Sequence, residues 1–567
     1  MNVQSRYLRI LNAKILTDKG INVCDITSRD GKIISVVKSA NADSNTTTSV
    51  NMTGLRRLEG KEQGIHHRND YRLDTCEIYD AERHIVLPGL IDCHAHMFSL
   101  GFQDHIVDLR GSRSPKELGK RIIEFAQNFG RDRSARSSVT GDWIIGRGWD
   151  QDLFPGNRFP TSADLDDATG SKPALMIRVC GHIGLLNSEA VRRLSRELKR
   201  FDSKLLPQDP PGRPTGIVKE QALDFCWKSA YSPSEMALRQ MFLRAQNLAL
   251  RSGLVSVHCI LSENWKAELA AIRSLESEGR IDLKTNLLLH INALEDLECM
   301  DIIERNRTIK DDSDRLCVTG FKLFADGSLG ARTAALLEPY SDDRMGLGIL
   351  YYDTKDIEDI ARRVKSMKMI LAVHAIGDAA ILQVLNALRA AGIRARDGFR
   401  IEHCSVLNKR LLRSLKEVTI SIQPSFATSD YWLEERLGRA RISRRKAYAF
   451  RSLLHLHGDR VIAGSDSPVE SIDPLCGIRS AVKSQVNGET LTIRDAIRIY
   501  TSNAAKASPL TKLSGKIAQK RNCDLVILDA FDISDVASSK VIDSFIDGKR
   551  VVFSSAHPSI VTSSKRY

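Results

Sequence analysis

Eight short apolar runs recur between Ile85 and Asp466, and most are followed by a stretch of helical periodicity. They are Ile85 to His96, Leu254-Val-Ser-Val-His-Cys, Thr285-Asn-Leu-Leu-Leu-His290, Leu316-Cys-Val-Thr-Gly-Phe-Lys-Leu-Phe, Met369-Ile-Leu-Ala-Val-His374, Phe399-Arg-Ile-Glu-His403, Val418-Thr-Ile-Ser-Ile-Gln and Arg460-Val-Ile-Ala-Gly-Ser-Asp466. Runs this short and apolar read as strands covered on both faces, and their alternation with helices predicts parallel βα units. Eight such units predict an α/β fold, a (β/α)8 TIM-like barrel. The alternative, an open doubly wound sheet, calls for a Gly-rich phosphate turn after an early strand, and the sequence has none. Helix signals agree. After His374, Asp378 can cap a helix with Ile381, Val384, Leu385 and Leu388 on one face and Gly392 as its stop, and Thr492 with Asp495 opens another.

Outside the barrel the rhythm changes. Residues 6–36 carry short alternating runs separated by Asp-Lys-Gly and Arg-Asp-Gly turns, and strands return at Asp524-Leu-Val-Ile-Leu-Asp and Asp543 to Val552. Two β-rich ends predict one composite β-sandwich domain, residues 1–88 with 508–567, around a barrel at 89–507. Residues 39–74 are polar, without sustained period, and read as an exposed insertion. Within the barrel, about 105–250 reads as a subdomain inserted after the first strand. It holds Gly146-Arg-Gly-Trp-Asp-Gln-Asp-Leu-Phe-Pro-Gly, too rich in Gly and Pro for regular helix. Arg178-Val-Cys-Gly-His182 and Asn187 there either line a pocket or serve as structural hydrogen-bonding groups.

Composition excludes several roles. The first residues lack an apolar segment of signal-peptide length, and no run is long enough to span a bilayer, so a cytoplasmic protein is expected. The eleven cysteines are scattered, odd in number and without a Cys-x-x-Cys pair, which suits free thiols. The formal charge of +13 comes from basic residues spread along the chain; the densest cluster, Arg436 to Lys446, lacks the interleaved aromatics of a nucleic-acid groove. No nucleic-acid or membrane partner is expected; a small molecule is, and a homodimer is left open.

The polar residues of the strands carry the chemistry. In an extended chain His94 and His96 point the same way, presenting two imidazoles to one point, a ligand pair for a transition metal such as zinc. His374, His403 and Asp466 end three further strands. Barrel enzymes gather their chemistry at the C-terminal mouth, so these five ligand-type residues converge on one face. Lys322 sits inside Gly-Phe-Lys-Leu-Phe, where an unpaired ammonium is costly. It calls for an ion pair, a depressed pKa or covalent change; reaction with carbon dioxide would make it a carbamate able to bridge two cations.

These motifs together resemble the metal-dependent amidohydrolase superfamily, and within it the YtcJ-like amidohydrolases and N-substituted formamide deformylases. The resemblance is carried by Leu87-Pro-Gly-Leu-Ile-Asp-Cys-His-Ala-His, Gly146-Arg-Gly-Trp-Asp, Lys322-Leu-Phe-Ala-Asp-Gly-Ser-Leu-Gly, His374-Ala-Ile-Gly-Asp, Ile401-Glu-His, Gly464-Ser-Asp-Ser-Pro-Val and Asp524-Leu-Val-Ile-Leu-Asp. It implies that His94, His96, His374, His403 and Asp466 are metal ligands or their direct partners and Lys322 the carboxylated bridge. One or two zinc ions are implied, the intact Lys322 favouring two. The expected reaction is hydrolysis of a non-peptide carbon–nitrogen bond in an amide or N-substituted formamide, with metal-bound hydroxide attacking the carbonyl and Asp466 shuttling the proton. Trp149, His182, Asp326 and Ser328 are the candidates for holding substrate. Two alternatives stand beside this: a cyclic-amide hydrolase or deaminase on the same site, and a catalytically idle scaffold or signalling relative.

Overall fold

The computed structural model describes residues 5–17, 20–39, 55–57, 76–128, 140–179, 181, 183–201, 205–209, 212–298, 315–430, 432–439, 442, 447–483 and 488–551. Each of the eight apolar runs is a strand of one sheet: β1 Leu90–Ala95, β2 Leu254–Ile260, β3 Lys284–His290, β4 Leu316–Phe324, β5 Ile370–Ala375, β6 Arg400–His403, β7 Thr419–Ile422 and β8 Val461–Ala463. Neighbours in sequence are neighbours in the sheet, every pairing is parallel, and β2 is buried along its whole length. Helices Trp265–Ser277, Thr354–Ser366, Asp378–Ala390 and Ile493–Tyr500 pack their apolar faces on the outside. Thr492 caps the last by accepting from Asp495 N, whereas Asp378 lies one residue inside its helix and accepts from Leu337 N at 2.8 Å.

The ring closes at the mouth. Ala95 bridges Ser467 in parallel, Asp466 N donates to His94 O at 2.7 Å, and His96 N donates to Ser467 O at 2.8 Å. Below this, the buried Asp92 carboxylate accepts from His94 N and from Ser465 N, stitching β1 to the exit of β8. Burial raises the Asp92 carboxyl to about 6 against those N–H groups. Gly464 is required by proximity: a Cβ there would lie 2.4 Å from His94 N and 2.7 Å from Asp92 Oδ1.

The two chain ends meet in a nine-stranded sheet. Its centre is Ile85–Pro88, antiparallel to Leu525–Leu528 and parallel to the long strand Tyr7–Thr17. That long strand changes partner at a bulge between Ile10 and Ala13, pairing with Cys76–Asp80 before it and Ile85–Pro88 after it. The described strands form one continuous hydrogen-bonded network whose two halves share a core, with the Tyr79 and Phe545 rings 5.4 Å apart in it. Ile85 and Leu87 face the barrel core while Val86 faces the sheet's own core with Ile10, Ile26 and Phe545. Of residues 39–74, only Ser39 and the short strand Leu55–Arg57 are among those described. A buried ion pair welds sheet to barrel: Lys284, first in β3, donates to Asp524 at 2.7 Å and to Asp547 at 2.8 Å.

Between β1 and β2 lies an α/β insert with a five-stranded sheet running from Val107 to Lys219. Alternation sets its two faces. Ala174 and Met176 join Ile144 and Trp149 under helices Pro115–Asn128 and Ala163–Thr169, whereas Leu175 and Ile177 face the barrel side with Ile145. The helix Glu235–Arg251 belongs to the barrel, with Gly101 packed against the Met241 carbonyl, so the insert ends earlier than the expected 250. Asn187 is structural: its carboxamide joins Ala174 N, Ala190 N, Thr169 Oγ1 and Lys172 O and caps helix Ser188–Leu198. Arg178 is spent on Asp150, Asp152 and Gln151, holding the Gly-rich run in place. Among the described residues no helix is long and apolar enough to cross a membrane, and the described cysteines are free thiols.

Two outcomes follow from this architecture. Gly464→Ala should lower unfolding stability by about 1–3 kcal/mol, since His94 backbone cannot yield, while Gly119→Ala, with its nearest neighbour 3.6 Å away on a helix, should be neutral or stabilising; equal thermal shifts would refute the contrast. Lys284→Met strands the Asp524 carboxylate and should cost roughly 3–5 kcal/mol in urea unfolding, relieved when Asp524→Leu is added. Burial opposes ionisation of Asp524, but Lys284 outweighs it and its pKa lies below the ordinary value. A depressed carboxylate stabilises above its unfolded pKa of about 3.9 and loses that contribution as pH falls through the folded value. The gap between wild type and Lys284→Met should therefore be full at pH 6 and shrink in acid.

Candidate active site

The mouth of the barrel gathers the strand ends. His94 Nε2 lies 3.2 Å and His96 Nε2 3.1 Å from the same oxygen of Asp466. Ligand atoms of these three residues all fall within 4.8 Å of one another, a spacing that one metal ion can span. The arrangement follows from strand alternation on β1 and from the closure that carries Asp466 back to it. Burial would raise the Asp466 carboxyl, yet His94 and His96 hold it well below the usual range. His94 is flanked by carboxylates on both nitrogens, with Glu402 Oε2 2.6 Å from Nδ1. Burial and Lys322 oppose protonation, but Asp466 and Glu402 prevail and its pKa is raised. A proton and a divalent cation are alternative ways to hold two imidazole nitrogens and a carboxylate oxygen together.

His374 and His403 complete the imidazole set. Their ring centroids are 4.4 Å apart, and His403 stands 5.0 Å from His94. Burial lowers His374 to about 3 and His403 well below its ordinary value, so both are neutral. His374 Nε2 meets Gly327 O at 3.0 Å; a carbonyl can only accept, so the proton sits on Nε2 and Nδ1 keeps its lone pair. His403 Nδ1 is buried with no hydrogen-bond partner. Lys322 Nζ, fully buried, has none either and lies 4.8 Å from the Phe324 ring centroid. Burial draws its amine down to about 8. Two orphaned buried nitrogens facing a His-His-Asp cluster are what a metal-binding mouth with a modified lysine requires. The donor set fits the metal.

The substrate candidates fare differently. Asp326 sits beside the cluster, 3.5 Å from His374 Nε2, but its oxygens accept from Ile376 N, Gly377 N and Ala335 N at 2.8–3.0 Å. Burial raises it to about 7, and it pins the loop after β5. Ser328 lies half-buried in the same turn, its hydroxyl accepting from Ala331 N at 3.3 Å. Trp149 is not brought to the mouth. It is fully buried in the insert's own core, its indole N–H donating to Met176 O at 2.8 Å, and the expected substrate contact gives way to packing. His182 lies outside the described residues.

Sequence reasoning missed Glu402, Asp92 and Arg400. Each was visible as a charged residue inside an apolar strand, the same signal that singled out Lys322; Glu402 and Asp92 lay within quoted motifs but were overshadowed by adjacent histidines.

Comparison with known proteins agrees with this geometry. The amidohydrolase family model matches residues 77–552. The YtcJ protein of Bacillus subtilis (strain 168) is 29% identical over 492 residues, covering 82% of this chain and 89% of that one. The N-substituted formamide deformylase of Arthrobacter pascens is 23% identical over 498 residues, covering 83% and 89%. Among solved structures, an uncharacterized metal-dependent hydrolase from Pyrococcus furiosus superposes with a TM-score of 0.69 at 28% identity, covering 92% of this chain and 99% of that one. With the family matched along most of its length and an intact set of ligand-type residues at the barrel mouth, this chain belongs to the amidohydrolase family and is a metal-dependent hydrolase.

Proposed function

We propose that the chain is a zinc-dependent hydrolase of carbon–nitrogen bonds other than peptide bonds, acting on an amide of the N-substituted formamide type. The observation that carries this is the cluster of buried His94 and Asp466 with half-buried His96, beside an unpartnered Lys322 amine. A relative named for N-substituted formamide deformylation supports the substrate class.

His94, His96, His374, His403, Asp466, and Lys322 as its carbamate are the residues that would hold the metal. A divalent ion there supplies Lewis acidity, acidifying water and polarising a carbonyl oxygen. Carboxylation of Lys322 by carbon dioxide forms a nitrogen–carbon bond and releases one proton. Counted from the ammonium, a second proton leaves in forming the neutral amine, so a lone buried cation would become an anion able to hold divalent metal. The amine reacts only when neutral, and a pKa near 8 leaves a useful neutral fraction at physiological pH. Asp466 stays ionised against both imidazoles, so it can take a proton from the attacking water and return it to the departing nitrogen. Asp326 keeps the loop after β5 fixed, and with it the orientation of His374.

Metal content of protein expressed with zinc and bicarbonate tests the reading. About two zinc ions per chain are expected, falling toward one in Lys322→Ala. Asp466→Asn should lower turnover of an N-substituted formamide by at least about 10²-fold. Wild-type protein that is folded by circular dichroism yet takes up no metal would overturn the proposal.

A further inference from the structure

A chain of charged and polar side chains runs beneath the mouth, across the inside of the barrel. Glu402 and Arg400 share β6 two residues apart and so point the same way, inward. Glu402 Oε2 accepts from His94 Nδ1 at 2.6 Å. Arg400 Nε stands 2.9 Å from Glu402 Oε1, and Arg400 Nη1 donates to His258 Nδ1 at 2.9 Å. In an eight-stranded ring β6 and β2 lie opposite each other, so the Arg400–His258 contact spans the barrel. All of these groups are buried, with Glu402 and His258 at 0% exposure.

Gln423 Nε2 also lies 3.4 Å from His94 Nδ1, but Glu402 at 2.6 Å is the nearer partner and sets the proton. A guanidinium only donates, so His258 Nδ1 must accept and its proton sits on Nε2. Glu402, ionised beside Arg400, only accepts, so His94 carries a proton on Nδ1. That leaves His94 Nε2 as the atom turned to Asp466. We propose that Glu402 is the positioning residue of the site, fixing the ring orientation and tautomer of His94 for a metal, and that the Arg400–His258 strut across the barrel holds Glu402 in place. This rests on His94 being a metal ligand. Outer partners of this kind tune metal affinity by acting through the ligand they orient. A glutamate free to rotate would leave the imidazole free to flip.

Zinc affinity of the purified protein, measured by competition with a chelating dye, tests this without recourse to turnover. Glu402→Gln should bind zinc about 10- to 100-fold more weakly, with the urea midpoint of the metal-free protein reported alongside. Arg400→Lys, which keeps the charge but cannot reach both partners, should show a smaller loss. If both act through His94, the double variant should be no weaker than Glu402→Gln alone within about twofold. Zinc affinity unchanged in Glu402→Gln, or losses that multiply in the double variant, would overturn the proposal. His94→Ala separates the two levels. If it loses zinc while Glu402→Gln does not, only the positioning role falls; if it too binds like wild type, the metal-site reading falls with it.

Discussion

The seam between β1 and the exit of β8 is the constraint on which everything else depends. Two backbone hydrogen bonds, His96 to Ser467 and Asp466 to His94, and the Asp92 carboxylate shared between His94 N and Ser465 N close a ring whose edges are 373 residues apart in sequence. A parallel barrel left open would expose unpaired backbone on two edges. Closure removes both edges and in the same act delivers Asp466 to His94 and His96. The cluster therefore cannot exist in a partly formed barrel. Any change that loosens the seam acts on chemistry and stability together.

The same run that supplies His94 and His96 also anchors the second sheet. Ile85–Pro88 belongs to the terminal sheet and Leu90–Ala95 to the barrel, with Gly89 at the crossing, where a Cβ would lie 2.3 Å from Val255. The Lys284–Asp524–Asp547 weld fixes the sheet at the foot of the barrel, at the start of β3. Mouth and foot are thus held by different means. Backbone pairing sets the mouth, where side chains must stay available, while ion pairing sets the foot, where they need not.

Most of the barrel was legible in the sequence because its signals are local. A strand buried on both faces reads as an apolar run, so the eight strands stood out, and a polar residue within such a run marks itself, as His94, Lys322 and His403 did. What was not legible depended on partners far away in the chain. Glu402 was visible as a charge inside an apolar strand, but its partner His94 lies 308 residues away and leaves no local signal. Trp149 and Asn187 misled for the converse reason. Trp149 ends a strand and completes the core of the insert, and Asn187 follows a strand and caps a helix, so both serve the fold of the insert.

Strain marks where the fold gives way to chemistry. His403 and Asp466 have φ of 73° and 58°, the left-handed region that non-glycine residues rarely occupy; His403 is the last residue of β6 and Asp466 lies three residues past β8. Conformations of that kind cost on the order of 1–3 kcal/mol each and persist only where surroundings enforce them. Glycine would relieve both positions, but glycine has no donor atom. The backbone must turn sharply at the strand end to aim a side chain into the mouth, and the side chain must be an imidazole or a carboxylate. The buried seam supplies what holds Asp466, whose own N–H is spent on His94 O. For His403 the hold comes from the next residue, Cys404, also left-handed at 48°, whose N–H bonds Ala375 O of β5. His403 and Asp466 are therefore tied back to the strands that carry the other histidines, so backbone fixes the geometry of the cluster.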